Sequence, residues 1–265
     1  MGIKQGGWIG DNMPRLARKD SQSCYYHVII QGINKEYILG KPEFIEKYLS
    51  IIVDKLPESK VVILAYCIMS NHAHFLIYSE KSEYLGKFMQ RVNTAYSRFY
   101  NRKNKRVGYV FRDRYYSQDI MTEKQLYNCL RYIHNNPVKA KMSTTMKDYQ
   151  YSSHNEFLGK RRIITEEAIR LLFGTTDQYK EEFRWIHNES YKYNEEEFMD
   201  IKDKTIAEYV KEVEKKYCRG ITELTRDKNL LRHIVKQARK ETDVTIMELA
   251  AILGLSKSTV GRYLK

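Results

Sequence analysis

The chain has 265 residues, a formal net charge of +13 and 42% hydrophobic residues, enough for one sizeable core or two smaller ones. The positive excess points to a polyanionic partner; no apolar run approaches the ~18 residues of a membrane span, so no membrane partner is expected. The four cysteines, Cys24, Cys67, Cys129 and Cys218, are scattered without a Cys-x-x-Cys pair. That argues against a zinc cage or a disulfide framework and fits a reducing cytoplasm.

Charge is unevenly distributed: residues 13–160 carry +11, residues 164–214 carry −7 and residues 215–265 carry +7. Two basic bodies flanking an acidic connector suit two nucleic-acid contacts held apart by a segment that avoids phosphate. Residues 1–12 have no periodicity and are expected to be a poorly ordered extension, with a second natural-looking start at Met13.

Residues 24–33, rich in β-branched and aromatic side chains, predict a first strand ending near Gly32. Phe44, Tyr48, Ile51, Ile52 and Leu56 then recur at helical spacing between Pro42 and Pro57. "KVVILAYCIM" and "HAHFLIYSE" predict two strands joined by a tight turn at Ser70 and Asn71, and "YLGKFMQRVNTAYSRFYNRK" predicts a helix closed by a basic loop. "YVFRDRYYSQDI" predicts another strand or an extended hairpin. "TEKQLYNCLRYIHNNP" predicts a helix with a capping-box-like Thr122 to Gln125, stopping before Pro137. The order β-α-β-β-α-β-α predicts an α+β class: a mainly antiparallel sheet with helices on one face, of the ferredoxin-like or RRM-like kind.

The β signal fades after about residue 160, so the C-terminal part is expected to be all-α: a helical connector over 161–214 and a helix-turn-helix DNA-binding domain over 215–265. In "TIMELAAILGLSKSTVGRYLK" the small Ala250, Gly254 at the turn and apolar Val260 have the spacing that two closely crossing helices need, and Ser256 is placed to cap the second. Lys257, Ser258, Thr259 and Arg262 on that second helix are the candidates for duplex DNA.

In "MSNHAHFLIY", His72 and His74 lie two apart on a strand and share a face, so their imidazoles can converge on a divalent metal. An oxygen ligand would suit Mg2+ or Mn2+, and Asn136 can supply it. Asn136 also lies one turn beyond Tyr132 on a helix face, which would place a ligand and a nucleophile on one rigid element. Of 22 tyrosines, Tyr132 stands out by that context over Tyr96, Tyr115, Tyr116 and Tyr127, with Tyr127 the next candidate. His134 points away from Tyr132 and reads as packing or a phosphate contact.

These pieces resemble the single-tyrosine HUH transposases, most closely the REP-associated tyrosine transposases. "MSNHAHFLIY" is similar to that family's histidine motif and "LRYIHNNPVKAKM" to its tyrosine helix. The opening strand and the segments flanking the tyrosine helix agree, over residues 13–160, the expected catalytic domain. Tyr151 departs from the tryptophan of many relatives. The resemblance implies metal ligation by His72, His74 and Asn136, nucleophilic attack by Tyr132, and single-strand cleavage and strand transfer at hairpin-forming repeats through a 5′-phosphotyrosine. His27 matches a recurring position of unassigned role. Arg102, Lys103, Lys105, Arg106, Arg112 and Arg114 are the expected strand-binding residues, and a homodimer is possible. Rolling-circle initiators or relaxases, and a non-catalytic DNA-binding regulator, are the alternative classes.

Overall fold

The structure is a computed structural model that describes residues 20–188, 190–191, 198, 206–242, 244 and 246–264. The expected extension over residues 1–12 lies outside the described residues. Two compact units divide the chain, Met1–Phe198 and Met199–Lys265.

The first unit is built on an antiparallel sheet of β1 (Tyr25–Gln31), β2 (Val62–Ile68), β3 (His72–Tyr78) and β4 (Tyr116–Asp119), in the order β2-β3-β1-β4. Register pairs Val28 with Phe75, Ile29 with His74 and Gln31 with His72. Alternation then sends Val28, Ile30, Ala73 and Phe75 to one face and His27, Ile29, His72 and His74 to the other.

The first face is covered by α1 (Pro42–Lys55) and α2 (Ser82–Lys103), where Tyr48 packs on Phe75 and Tyr96. The second face is covered by α3 (Glu123–Lys139), whose Tyr132 lies against His74. The sheet is therefore sandwiched, not covered on one face as its element order suggested. The reason is that β1 and β3 are buried on both sides, and apolar strands of that kind need cover on both faces.

Local chemistry sets the element ends. Pro42 opens α1, where its missing N–H costs nothing, and Thr122 caps α3 by accepting from Gln125 N–H at 3.1 Å. The helix α3 does not stop before Pro137 but runs through it to Lys139. Pro137 sits in the last turn, so the ring removes a single bond near an end that is already weakly held, and Met142 N–H returns to the Pro137 carbonyl at 2.8 Å. The stretch 109–120 is strand only at its end; Phe111 makes one isolated bridge to Gly32.

The outer edge of β2 is covered by residues 149–157: Ile68 N–H donates to Tyr151 O at 2.9 Å, and Tyr66 N–H to Ser153 Oγ at 2.9 Å. The helices α4 (Glu166–Phe173) and α5 (Tyr179–Ile186) join the same core through Ile169, Leu172, Phe173 and Phe183. The described part of the expected connector is thus divided, with α4 and α5 belonging to the first unit.

The second unit is helical: α6 (Ile206–Tyr217), α7 (Ile221–Leu224), α8 (Lys228–Glu241), α9 (Ile246–Leu253) and α10 (Lys257–Leu264). Its core gathers Leu231, Ile234, Val235, Leu249, Leu253 and Val260. Gly254 adopts φ +64° at the α9 terminus, a left-handed conformation that glycine takes without a Cβ penalty, and Ser256 Oγ accepts from Thr259 N–H at 3.1 Å to start α10. Among the described residues no helix is long and apolar enough to cross a membrane.

Candidate active site

His72 and His74 project from β3 toward α3, their ring centroids 5.0 Å apart. The Tyr132 ring stands nearly perpendicular to that of His74 at 5.6 Å. One turn on, Asn136 Nδ2 donates to the Tyr132 carbonyl at 2.9 Å, which fixes the amide and leaves Oδ1 without a hydrogen bond among the described residues. The sequence spacing thus brings strand histidines and helix tyrosine together.

Each histidine is oriented through Nδ1. The Asn71 side-chain oxygen lies 2.6 Å from His72 Nδ1; an oxygen accepts, so Nδ1 carries the proton and Nε2 keeps its lone pair. His74 Nδ1 meets His27 Nε2 at 3.1 Å. All three rings are buried. Burial, reinforced by the nearby Lys35 charge, lowers the pKa of His72 to about 4; His27 falls to about 3 through burial; His74 lies well below its ordinary value, through burial and then the proximity of His72, His27 and Lys139. Neutral imidazoles are what a cation needs at neutral pH.

Among the described residues no three His, Cys, Asp or Glu side chains are grouped to hold a metal. The fit therefore depends on two imidazole nitrogens plus the Asn136 amide oxygen, a mixed N/O set that suits Mn2+ or Mg2+ with water completing the shell.

Three features of the site were not legible in the sequence. Lys139 Nζ lies over the Tyr132 ring at 5.0 Å. Phe198 packs on Tyr132 at 5.3 Å and on His27 at 5.8 Å, and Tyr132 is fully buried beneath these neighbours. His27 was visible only as a position. Tyr127, the runner-up nucleophile, donates to Glu182 at 2.7 Å, and burial with these carboxylates raises its pKa. Its phenol is held as a structural donor.

The expected strand-binding residues differ in their freedom. Arg102, Lys105 and Arg114 are exposed, as are Tyr37 and Tyr109. Arg106 instead pairs with Glu36 and donates to the Tyr109 carbonyl at 3.3 Å, which ties the basic loop to the turn after β1. Lys103 lies 3.2 Å from Glu43, and Arg112 N–H extends the sheet by donating to Gln31 O at 2.9 Å. In the second unit Lys257, Ser258 and Arg262 are exposed on α10, while Thr259 is half-buried with its hydroxyl on Ser256.

Residues 20–136 match the family model described as "Transposase IS200 like". The chain is similar to a Haemophilus influenzae protein named as a REP-associated tyrosine transposase, with 26% identity over 139 residues, covering 49% of this chain and 77% of that one. It also aligns with a solved REP-associated tyrosine transposase bound to a REP hairpin, at 14% identity and a TM-score of 0.47, over 58% of this chain and 91% of that chain.

Proposed function

We propose that the first unit is a cation-dependent single-strand DNA endonuclease and strand transferase acting at hairpin-forming repeats, the substrate class of the transposases it resembles. The observation that carries this reading is the Tyr132 ring set 5.6 Å from His74, with His72 beside it, on one face of the sheet.

Tyr132 Oη attacks the scissile phosphorus; the phenolic O–P bond forms while the P–O3′ bond breaks. The phenol proton is lost and the departing 3′ oxygen gains one to become a hydroxyl. The 5′-phosphotyrosine conserves the phosphodiester energy, so an incoming 3′-hydroxyl reverses the step and joins a strand without ATP. His72 and His74 through Nε2, and Asn136 through Oδ1, would hold Mg2+ or Mn2+, which when bound supplies Lewis-acid polarisation of the phosphate. Lys139 is placed to take a phosphate oxygen. Arg102, Lys105 and Arg114, with Tyr37 and Tyr109, hold the strand by charge and stacking. On α10, the exposed Lys257, Ser258 and Arg262 contact duplex DNA.

The test is incubation of the full chain with single-stranded hairpin oligonucleotides and Mg2+ or Mn2+, scored for a covalent protein–DNA adduct on a denaturing gel. An adduct that depends on the cation supports the reading. Tight hairpin binding without an adduct under either cation would make the protein a DNA-binding regulator.

A further inference from the structure

His27 lies on β1, 47 residues from His74 in sequence, and is fully buried. The His27 and His74 rings are inclined by only 12°, with centroids 5.3 Å apart and Nε2 to Nδ1 at 3.1 Å. That centroid separation is what an end-on N–H···N bond between nearly coplanar rings requires; face-to-face stacking would bring the centroids closer. The other nitrogen of His27, Nδ1, is buried and has no hydrogen-bond partner among the described residues.

A neutral imidazole carries one N–H, so the pair has two arrangements. In the first, His27 Nε2–H donates to His74 Nδ1. The His74 proton then sits on Nε2 and blocks that nitrogen from a cation, while His27 Nδ1 is a bare lone pair. In the second, His74 Nδ1–H donates to His27 Nε2, which frees the His74 Nε2 lone pair. The His27 proton must then sit on Nδ1, where no described group accepts it. His72 has no such choice, because an amide oxygen dictates its tautomer.

We propose that His27 is a positioning residue that acts as the acceptor for His74 Nδ1–H and so sets the tautomer in which His74 can bind a divalent cation. The inference rests on the cation site proposed above. It makes the site bistable: the cation-free pair favours the arrangement that leaves a lone pair and not an N–H unsatisfied at the buried His27 Nδ1, and binding moves both protons to Nδ1. Ligating histidines are held in this way by outer partners whose loss costs about 10- to 100-fold in metal affinity. Here the partner is an imidazole instead of a carboxylate or a carbonyl.

The experiment measures Mn2+ affinity of the full chain by calorimetry for wild type, His27→Leu, His27→Gln and His72→Ala, with folding checked by circular dichroism. His27→Leu keeps an apolar filling without an acceptor and should weaken Mn2+ by about 10- to 100-fold. His27→Gln, whose amide oxygen accepts, should recover most of that loss, which a merely space-filling role would not produce. Long-range 15N–1H spectra of wild type, with and without diamagnetic Mg2+, need no variant and should show the His27 and His74 protons both on Nδ1 once the cation is added.

Mn2+ bound by wild type and lost in His72→Ala, but unchanged in His27→Leu, overturns the role of His27 while leaving the cation site intact. His27 remaining protonated at Nε2 with Mg2+ bound does the same. No Mn2+ bound by wild type, or equal binding by His72→Ala, defeats the cation site and this inference with it.

Discussion

Two clusters of imidazoles, all buried except the half-buried His187, flank the helix α3, and they are wired differently. His27, His72 and His74 meet it at Tyr132; His134, two residues further on, meets His154 and His187. In the second cluster the hydrogen bonds form a closed series. His187 Nδ1 donates to the Phe183 carbonyl at 2.7 Å, His134 Nδ1 donates to His187 Nε2 at 2.8 Å, and Ser153 Oγ donates to His134 Nε2 at 2.8 Å. Ser153 Oγ in turn receives Tyr66 N–H. Both nitrogens of His134 and of His187 are occupied, so these two rings dock α5 and the edge-covering segment onto α3 and offer no lone pair to a ligand.

In the first cluster His72 and His74 are each held through Nδ1 alone, and no protein group among those described bonds either Nε2. Burial and lowered pKa values are common to both sets, as with His187, which falls to about 3. What separates the proposed ligands His72 and His74 from His134 and His187 is the second nitrogen.

The comparison can be broken most sharply at the residue between the clusters. Tyr132→Phe removes only the attacking oxygen and should abolish the covalent adduct entirely, while hairpin affinity stays within about twofold. An active Phe variant, read on the same denaturing gel, would move the nucleophile elsewhere.

The next two changes form a crossed pair. His134→Leu removes the imidazole partner of Ser153 Oγ and of His187 Nε2 and should cost about 2–4 kcal/mol in urea unfolding, with Mn2+ affinity of the folded protein unchanged. His72→Ala should abolish cation-dependent nicking, with a far smaller stability loss. Asn136→Ala should reduce nicking less than His72→Ala, because water replaces an oxygen ligand. If His134→Leu weakens Mn2+ as much as His72→Ala does, the two clusters are not functionally distinct.

A pH effect should follow from both clusters together. Each buried histidine has a folded pKa below its unfolded value of about 6.5, so the unfolded chain binds protons first as pH falls. Stability from these groups is fully present above pH 6.5 and is lost progressively below it, toward the folded values of about 4 for His72 and about 3 for His27 and His187. The limiting slope is about 1.4 kcal/mol per pH unit for each histidine. Urea midpoints of the first unit that are equal at pH 7 and pH 5 would contradict it. The smallest effect is expected from ending the chain at residue 198. Nicking of a short pre-formed single strand should stay within about threefold, whereas affinity for flanking duplex should fall because the basic second unit is gone. Loss of nicking by the folded, shortened protein would place the tail in the catalytic body.

Much of this site could be read along the chain because it depends on periods. His72 and His74 share a face because a strand alternates, and Tyr132 and Asn136 share one because a helix turns every 3.6 residues. The bounds of α1 and the cap of α3 follow from Pro42 and Thr122, whose effects are equally local. The helix stop before Pro137 misjudged how little a proline costs in a last turn. Arg106 looked like a strand-binding cation in a basic loop, and only the fold brought Glu36 to it from 70 residues away.

By itself the sequence determined which residues share a face and where each element starts, since such facts depend on neighbours within a few positions. The tertiary structure alone decided that the sheet is covered on both sides, that α4 and α5 close the first unit, and that Phe198 lies on Tyr132. It also decided that His27 meets His74 end-on while His134 meets His187 and Ser153. These pairings join residues 19 to 53 positions apart, and their hydrogen-bond polarity is fixed by buried groups that must satisfy one another at close range, which no local period encodes.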